Sequence, residues 1–313
     1  MALALVTGGA GFIGSSLVRA LLARGDVVRV IDNFSSGKRE NLADVVDRIE
    51  LVEADILDER ALGRAIEGAE VVFHEAAIPS VPKSMLEPVE NHAANATGTL
   101  RVLEAARRAH VRRVVYAASS AAYGDEPTLP KIESMTPAPI SPYGGSKLAG
   151  ELYMHVYARA YGLETVSLRY FNVFGPRQDP QSEYAAVIPK FITAALAGRQ
   201  PRIYGDGTQS RDFCHIDNVI EANFKAASAD GRQVSGGVFN VGCGQATTLN
   251  QVVALLGEAL GRKLEAVHEA ERAGDIKHSH ADISAARARL GYAAQVSFAE
   301  GLRRTVDWYK RQG

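Results

Sequence analysis

The chain has 313 residues, 46% of them hydrophobic, and its 35 basic and 36 acidic side chains give a formal net charge of −1. This length and hydrophobic fraction are typical of a globular protein with one large α/β domain or two smaller ones. The balanced charge provides no general attraction to nucleic acid or to an anionic membrane surface, so an anionic ligand must be held by local donors. We therefore expect neither nucleic acid nor a membrane as a partner.

The cysteines and the N-terminus bear on the compartment. Cys214 and Cys243 lack metal-ligand spacing and could form at most one disulfide, which fits a reducing compartment. The apolar run "MALALV" is followed by glycine at position 8, too early for a signal peptide, and no stretch approaches the length of a membrane span. The sequence thus predicts a cytoplasmic protein without a metal site.

In the first half of the chain, short apolar runs alternate with helical patterns. Strands are predicted at "ALALV", "VVRVID", "IELVEA", "VVFHEA", "RRVVYAAS" and "TVSLRYF". Helices are predicted from about Phe12 to Arg24, between the third and fourth strands, from about Pro88 to Ala109, and from Tyr143 to about Tyr161. This alternation predicts an α/β fold with a doubly wound parallel Rossmann sheet of six or more strands.

Beyond about Phe171 the pattern becomes irregular. Separate helices are predicted near 184–197, 215–228, 246–260 and 298–312, with short apolar runs between them. We expect a Rossmann domain over residues 1–170 and a smaller, mixed α/β lobe over residues 171–313, some segments of which return to the first domain.

A glycine-rich loop, "TGGAGFIGSSL", connects the first strand to the first helix. Glycines there suit a tight structural turn, but Gly8, Gly11 and Gly14 also allow backbone N–H groups to approach a pyrophosphate at the helix N-terminus. Asp32 ends the second strand, where its carboxylate can accept both hydroxyls of an adenine ribose and would repel a 2′-phosphate. The loop and the aspartate together favour NAD over NADP.

Three residues after the second and third strands leave alternatives open. Lys38 and Arg39 keep NADP possible, because either cation can bind a phosphate. Asp55, in "EADIL", is positioned to accept a hydrogen bond from the adenine amino group, although a lone aspartate there is more often a turn residue.

The stretch "ISPYGGSKLAG" places Tyr143 and Lys147 four residues apart, on one face of a helix. An isolated pair of this kind is usually a packed phenol beside a solvated amine. Here it follows the nucleotide loop and the segment "YAASSAAYG", whose Ser119 and Ser120 end a strand. Ligands of doubly wound sheets bind beyond the carboxyl ends of strands. The order of these motifs therefore predicts an active site.

Through "TGGAGFIG", "SPYGGSK", "RYFNVFG", "SRDFCHIDN" and "RAGDIKHS", essentially the whole chain resembles the extended short-chain dehydrogenase/reductases. Within them it is most similar to the UDP-hexose 4-epimerases, in particular the branch that acts on N-acetylated UDP-sugars. The resemblance implies a tightly held NAD, a UDP-sugar substrate, and a homodimer formed by the helices 88–109 and 143–161. It further implies that Tyr143 is the general base, that Lys147 lowers the tyrosine pKa and holds the nicotinamide ribose, and that Ser119 bridges the phenol and the sugar O4.

The resemblance also implies which residues contact each ligand. The cofactor residues are Gly8, Gly11, Phe12, Ile13, Gly14, Asp32, Asn33, Ser36, Gly37, Asp55, Ile56, Ala76, Ala77, Asn95, Tyr143, Lys147 and Tyr170. The substrate residues are Val81, Ser119, Ser120, Tyr143, Asn172, Ala186, Val187, Tyr204, Arg211, Arg272, Asp275 and Ser279. Arg211 and Arg272 are expected to bind the diphosphate, since a guanidinium can bond two oxygens at once. Asp275 is expected at the uridine ribose, Tyr204 at the uracil, and Asn172 at a phosphate or sugar hydroxyl.

Substrate class follows from a few positions within the resemblance. Ser279 stands where a bulky aromatic closes the pocket of strict UDP-glucose enzymes, and Ala186 and Val187 add no bulk. We therefore expect interconversion of UDP-GlcNAc and UDP-GalNAc, with UDP-Glc and UDP-Gal as a possible second pair. One departure is Pro79, which replaces a lysine that reaches the cofactor in many UDP-glucose epimerases; Lys83 is in doubt as a substitute.

Three other functions compete with a 4-epimerase. Related dehydratases and decarboxylases carry an acidic residue just after the catalytic Ser or Thr, whereas this chain has Ser120 and Ala121. Uronate epimerases tend to have a basic residue where this chain has Asp179, whose charge would repel a sugar acid. A non-catalytic NAD-binding protein would have no chemical need for a complete Ser, Tyr and Lys set. A 4-epimerase is therefore the main prediction.

Overall fold

The computed structural model describes residues 2–180, 186–271 and 277–312, and these form fourteen strands and twelve α-helices. The strands are β1 (Leu3–Thr7), β2 (Val27–Asp32), β3 (Glu50–Glu53), β4 (Val71–His74), β5 (Arg113–Ser119), β6 (Glu164–Tyr170), β7 (Asn172–Phe174), β8 (Arg202–Tyr204), β9 (Ser210–Arg211), β10 (Phe213–His215), β11 (Gly237–Val241), β12 (Thr247–Thr248), β13 (Val267–Glu269) and β14 (His278–Ser279). The helices are α1 (Phe12–Ala23), α2 (Glu59–Ile66), α3 (Val81–Leu86), α4 (Pro88–His92), α5 (Gly98–Arg108), α6 (Pro142–Tyr161), α7 (Val187–Leu196), α8 (Ile216–Ser228), α9 (Gly231–Val234), α10 (Leu249–Leu260), α11 (Ser284–Leu290) and α12 (Phe298–Lys310).

Seven of the described strands form one parallel sheet in the order β11-β6-β5-β4-β1-β2-β3. The chain moves outward from β1 in one direction through β2 and β3, then crosses back to β4 and continues in the other direction. This reversal separates the loops after β1 and β4, and such a crevice at the carboxyl edge is where doubly wound sheets bind ligands. The predicted Rossmann sheet is confirmed.

The strand β11 was not predicted as part of this sheet. Its residues pair in parallel with β6, Gly237 opposite Val166 and Val241 opposite Tyr170. The sequence "GVFNV" is only five residues long and lies in the irregular half of the chain, so local pattern alone did not connect it with a strand some seventy positions earlier. The domain boundary between residues 170 and 171, with unnamed segments returning across it, stays a prediction.

Helices cover both faces of the sheet, as its apolar strands require. On one face α1 packs against α8, which also contacts β5 and β6; on the other, α2, α5 and α6 pack side by side. The helix predicted from Pro88 to Ala109 consists of α4, a π-helical turn (Ala93–Thr97) and α5. The helices predicted near 215–228, 246–260 and 298–312 are confirmed as α8, α10 and α12, and α7 starts at Val187.

A separate core holds the rest of the C-terminal half. Phe174, Phe213 and Phe298 form mutual ring contacts with centroids 5.3 to 6.4 Å apart, and the apolar faces of α7, α10 and α12 pack around them. Within the described ranges, the helices are too short or too polar to span a bilayer.

Candidate active site

A cleft of about 2220 Å³ runs along the carboxyl edge of the sheet and is shared with the C-terminal half. The cofactor residues lining it are Gly8, Gly11, Phe12, Ile13, Gly14, Asp32, Asn33, Ser36, Gly37, Asp55, Ile56, Ala76, Ala77, Tyr143, Lys147 and Tyr170. The substrate residues lining it are Val81, Ser119, Ser120, Asn172, Ala186, Val187, Tyr204, Arg211 and Ser279. Arg272 and Asp275 lie outside the described residues.

The glycine loop is too tight for side chains. A Cβ on Gly14 would stand 2.2 Å from the carbonyl oxygen of Gly8, and a Cβ on Gly8, whose φ is +68°, would stand 2.7 Å from the Ala76 backbone. The N-cap of α1 is Gly11, which has no side chain to satisfy the first N–H groups of the helix. These donors and the positive end of the helix dipole suit a pyrophosphate.

Asp32 is held in place by its own strand end and by the glycine loop. One carboxylate oxygen accepts from the Ala10 N–H at 2.8 Å, and the other accepts from the Phe34 N–H at 2.7 Å. Burial raises the pKa of Asp32, and these two hydrogen bonds act in the opposite direction. Each oxygen keeps a lone pair, so the carboxylate can still accept ribose hydroxyls. These groups fit the adenosine end of a dinucleotide.

The two cations that left NADP open are both engaged elsewhere. The Lys38 ammonium lies 2.8 Å from a carboxylate oxygen of Asp179, and Arg39 pairs with Glu53 while its guanidinium stacks over the Phe34 ring. Asp55 accepts from the Asn33 amide and from the Leu57 N–H, each at 2.8 Å. The arrangement favours an unphosphorylated ribose.

Tyr143, Lys147 and Ser119 come together where α6 starts. Ser141 caps the helix by accepting from the Gly144 N–H at 3.1 Å, and Pro142 occupies the first turn. Tyr143 and Ser119 both line the cleft there, and the Ser119 hydroxyl accepts from the Ala121 N–H at 3.1 Å. Lys147 is only 3% exposed, and its ammonium donates to the Ala117 carbonyl at 2.8 Å. Helix geometry thus places phenol and ammonium on one face, next to the end of β5.

Burial and neighbouring side chains shift the pKa values of Tyr143 and Lys147. Burial raises the pKa of Tyr143, and the side chain of Ser119 opposes that rise. Burial lowers the pKa of Lys147 to about 8, while the carboxylates of Glu75 and Glu151 act to raise it. Lys147 is not among the groups that shift the Tyr143 pKa here, so its expected lowering of that pKa stays a prediction.

Asn95 is not among the residues that line the cleft, and its predicted contact with the cofactor stays a prediction. It is 1% exposed and lies in the π-helical turn. Its Oδ1 accepts from the Ile78 N–H at 2.8 Å, and its Nδ2 lies 3.2 Å from the Ile78 carbonyl and 3.1 Å from the Ser146 hydroxyl. The widened turn brings this amide between the loop after β4 and α6, so Asn95 positions the residue next to Lys147.

The loop after β4 carries a further group that sequence reasoning did not single out. Glu75 lines the cleft, and the Tyr170 hydroxyl donates to its Oε1 at 2.9 Å. The sequence feature that could have indicated Glu75 is a carboxylate directly after the apolar strand "VVFH". Lys83, the doubtful substitute for a lysine at position 79, is paired with Glu87 and Glu90 at 3.3 and 3.5 Å.

The substrate end is assembled from short strands far apart in sequence. Ser279 of β14 pairs with Arg211 of β9 in parallel register, and Tyr204 ends β8. Arg211 Nη1 donates to the Ser210 carbonyl at 3.0 Å. Ala186 and Val187 form the start of α7. The structure thus brings together a guanidinium, an aromatic ring and three small side chains at one end of the cleft.

Comparison with known proteins agrees with this geometry. A 42% identical protein from Mycolicibacterium smegmatis, a UDP-glucose 4-epimerase, matches over 98% of both chains. A UDP-N-acetylglucosamine 4-epimerase from Methanobrevibacter ruminantium, solved with UDP-N-acetylmuramic acid, superposes with a TM-score of 0.94 at 41% identity, covering 100% of this chain and 99% of its own. The NAD complex of a Thermus thermophilus UDP-glucose 4-epimerase superposes with a TM-score of 0.89 at 38% identity, covering 98% and 99%.

The family model also covers most of the chain. Residues 4–242 match the model described as the NAD dependent epimerase/dehydratase family, and this range holds the glycine loop, Asp32, Ser119, Tyr143 and Lys147. The chain belongs to the NAD dependent epimerase/dehydratase family.

Proposed function

We propose that the protein is an NAD-dependent 4-epimerase of UDP-hexoses that interconverts UDP-GlcNAc and UDP-GalNAc, with UDP-Glc and UDP-Gal as a second pair. The observation that carries this proposal is that Ser119, Tyr143 and the buried Lys147 line one cleft, at the carboxyl edge of a sheet whose glycine loop fits a dinucleotide. Two of the relatives described above are named for these two activities.

Each residue of the trio has a distinct task. Bound NAD supplies a reversible acceptor for the hydride at the sugar C4. Tyr143, as phenolate, takes the proton of the O4 hydroxyl, and Ser119 orients that hydroxyl by bonding to both the oxygen and the phenol. After the 4-keto sugar rotates within the cleft, hydride returns to the opposite face of its C4 and Tyr143 returns the proton to O4. One stereocentre changes and no net oxidation occurs.

The phenol needs strong electrostatic support for this task. Bringing a tyrosine from its usual pKa of about 10 to near 7 takes about 4 kcal/mol of differential stabilisation. Burial of Tyr143 acts against this change. Two positive charges can stabilise the phenolate: the Lys147 ammonium, one helical turn away, and the oxidised cofactor. Lys147 must therefore stay protonated for turnover.

The choice of sugar rests on side-chain size and charge. Ser279, which pairs with Arg211 in the sheet, and Ala186 are small residues in the lining of the cleft, and we expect them to leave space for an N-acetyl group. Ser120 and Ala121 line the cleft and carry no carboxyl for the elimination chemistry of dehydratases. Asp179 is a weaker argument against sugar acids than the sequence indicated, because its carboxylate is paired with Lys38.

The proposal includes a homodimer built on α6 and the α4–α5 helix. Leu152 and Val156 on α6 are 61% and 46% exposed, and Val89 on α4 is 81% exposed. Burying these side chains against a second copy would remove them from water. We expect Leu152→Glu to sediment as a monomer where the wild type sediments as a dimer. Val267→Glu, a similar change in the C-terminal half, should leave the dimer intact; a wild-type monomer would contradict the proposal.

A cytoplasmic location is also part of the proposal. It rests on Cys214 and Cys243, both free thiols in this structure.

The direct test is incubation of the purified protein with UDP-GlcNAc and separation of the products by chromatography. We expect UDP-GalNAc to accumulate to equilibrium without added NAD, because the cofactor stays bound through the cycle. Formation of a 4-keto-6-deoxy sugar would indicate a dehydratase instead, and carbon dioxide released from UDP-glucuronate would indicate a decarboxylase. Protein that binds NAD but converts none of these sugars would overturn the proposal.

A further inference from the structure

The Glu75 carboxyl has no task in the chemistry described above, although it lies inside the same cleft. It follows directly after β4, and its backbone lies against the glycine loop: a Cβ on Gly8 would stand 3.0 Å from the Glu75 carbonyl carbon. On the other side its Oε1 accepts from the Tyr170 hydroxyl at 2.9 Å. Tyr170 in turn accepts from the Asn223 amide at 2.7 Å. Three elements, β4, β6 and α8, therefore fix one carboxyl in position.

The hydrogen-bond directions in this chain keep the carboxyl an acceptor. The Asn223 amide donates to the Tyr170 oxygen, which leaves the tyrosine proton for Glu75. A carboxylate that accepts a hydrogen bond from a phenol is stabilised in its charged form. The arrangement thus favours a negative charge on Glu75 within the cleft that Lys147 also lines.

Strand pairing brings Glu75 near Lys147. In the register of β4 and β5, His74 lies opposite Tyr116, so Glu75 follows beside Ala117, whose carbonyl accepts from the Lys147 ammonium at 2.8 Å. On its own strand, His74 bonds through its two ring nitrogens to Thr7 and Thr99, and burial lowers the His74 pKa to about 3, so that it stays neutral. On α6, Glu151 lies next to Lys147 but is committed to a bidentate pair with Arg169 of β6, at 2.7 and 2.9 Å. The pKa of Glu75 itself is raised to about 7 by burial, and Tyr170 and Lys147 oppose that rise.

We propose that Glu75 is a positioning residue of the reaction: its carboxylate, held by the Tyr170 hydroxyl, keeps Lys147 in the ammonium form that Tyr143 requires. This inference rests on the proposed function. Glu75 acts through Lys147 and touches neither the sugar hydroxyl nor the phenol in this account. Glu151, already neutralised by Arg169, cannot fully replace it.

The proposal predicts a change in pH dependence. The ammonium loses its proton as the pH rises through the Lys147 pKa of about 8, and Glu75 is one of the two carboxylates that hold this value up. Without the Glu75 charge the Lys147 pKa falls, so the active ionisation state is lost at a lower pH. At acid pH, where Glu75 is itself protonated, the wild type and a variant without the charge should behave alike.

The test uses Glu75→Gln, which keeps an acceptor for the Tyr170 hydroxyl and removes only the charge. The matched control is Glu67→Gln, an exposed carboxyl after α2 at the opposite edge of the sheet. We expect the alkaline limb of the kcat/KM profile to move down by about one pH unit in Glu75→Gln, a tenfold loss at a fixed alkaline pH, and to stay in place in Glu67→Gln. Tyr170→Phe should move it in the same direction by less, because the carboxyl then loses the bond that stabilises its charge.

A second readout does not depend on turnover. In protein labelled with ¹³C at the lysine Cε, the Lys147 resonance, assigned by its absence in Lys147→Ala, reports the ammonium directly. Its titration midpoint should fall in Glu75→Gln and not in Glu67→Gln. An unchanged midpoint and an unchanged alkaline limb in Glu75→Gln would overturn the inference. A lowered midpoint in a protein whose wild type converts no UDP-sugar would instead support the Lys147 coupling and contradict the proposed function.

Discussion

The two ends of the cleft are built in different ways. At the cofactor end, Gly8, Gly14 and Asp32 come from a single βαβ unit. Backbone contacts within that unit fix Gly14 and Asp32, and Gly8 lies against the Ala76 backbone just after β4. At the substrate end, Tyr204, Arg211 and Ser279 come from three short strands spread over residues 202–279. The first end is specified locally, and the second exists only when distant segments pack. Changes at the cofactor end should therefore be severe and general, whereas changes at the substrate end should be graded and sugar-specific.

The largest effect is expected where the two ends meet. Tyr143→Phe removes the base but keeps the ring, so we expect epimerisation to fall by about a thousandfold with the fold and bound NAD retained. Product chromatography measures epimerisation, and the absorbance of dinucleotide released on denaturation measures the bound NAD. Tyr153→Phe, on the same helix and 37% exposed, is the control and should be near wild type. Wild-type-like activity of Tyr143→Phe would remove the general-base assignment.

At the cofactor end, Gly14→Ala should weaken NAD binding by about a hundredfold or more and lower the melting temperature. The added Cβ meets the Gly8 carbonyl at 2.2 Å, which is backbone and cannot rotate away. Calorimetric titration with NAD checks the affinity. Gly63→Ala in α2, where a Cβ meets nothing within 4 Å, should bind NAD normally and gain up to about 1 kcal/mol of stability. Equal behaviour of the two variants would mean that the glycine loop does not hold the dinucleotide.

At the substrate end, Ser279→Tyr should raise KM for UDP-GlcNAc by about tenfold while changing KM for UDP-Glc much less, since the ring would occupy the space left beside Arg211. The ratio of kcat/KM for the two sugars measures this selectivity. Ser279→Ala should leave the ratio unchanged. A parallel loss for both sugars in Ser279→Tyr would show that Ser279 does not face the C2 substituent.

The smallest effect is expected where the halves touch at the surface. The Lys38–Asp179 pair joins the loop after β2 to the segment after β7, with both side chains partly exposed. Exposed pairs contribute about 0–1 kcal/mol, so Lys38→Ala should weaken NAD binding by less than about fivefold. Asp179→Asn should weaken NAD binding to a similar extent, and the double variant should weaken it no more than either single variant. Additive losses would show that the two charges act independently.

The sequence predicted the locally specified parts of the cleft better than the parts that depend on tertiary packing. The glycine loop, Asp32 and the Tyr143–Lys147 spacing are local patterns with a direct geometric meaning, and the structure brings them to one cleft. The role of Asn95 is less direct, because a π-helical turn that the sequence did not predict bonds its amide to Ile78 in the loop after β4. The sequence did not indicate a role for Glu75, because its hydrogen bond with Tyr170 and its effect on the Lys147 pKa arise only from tertiary packing. Such positions depend on distances between segments that no spacing along the chain encodes.

The strand β11 has a consequence for how the molecule is made. Because β6 finds its outer neighbour only in residues 237–241, its edge is unpaired while the ribosome is still adding the next seventy residues. The nucleotide-binding half therefore cannot complete its sheet during synthesis of its own sequence. A fragment ending at residue 170 should self-associate through that open edge, and the enzyme matures as a unit only once its C-terminal half has emerged.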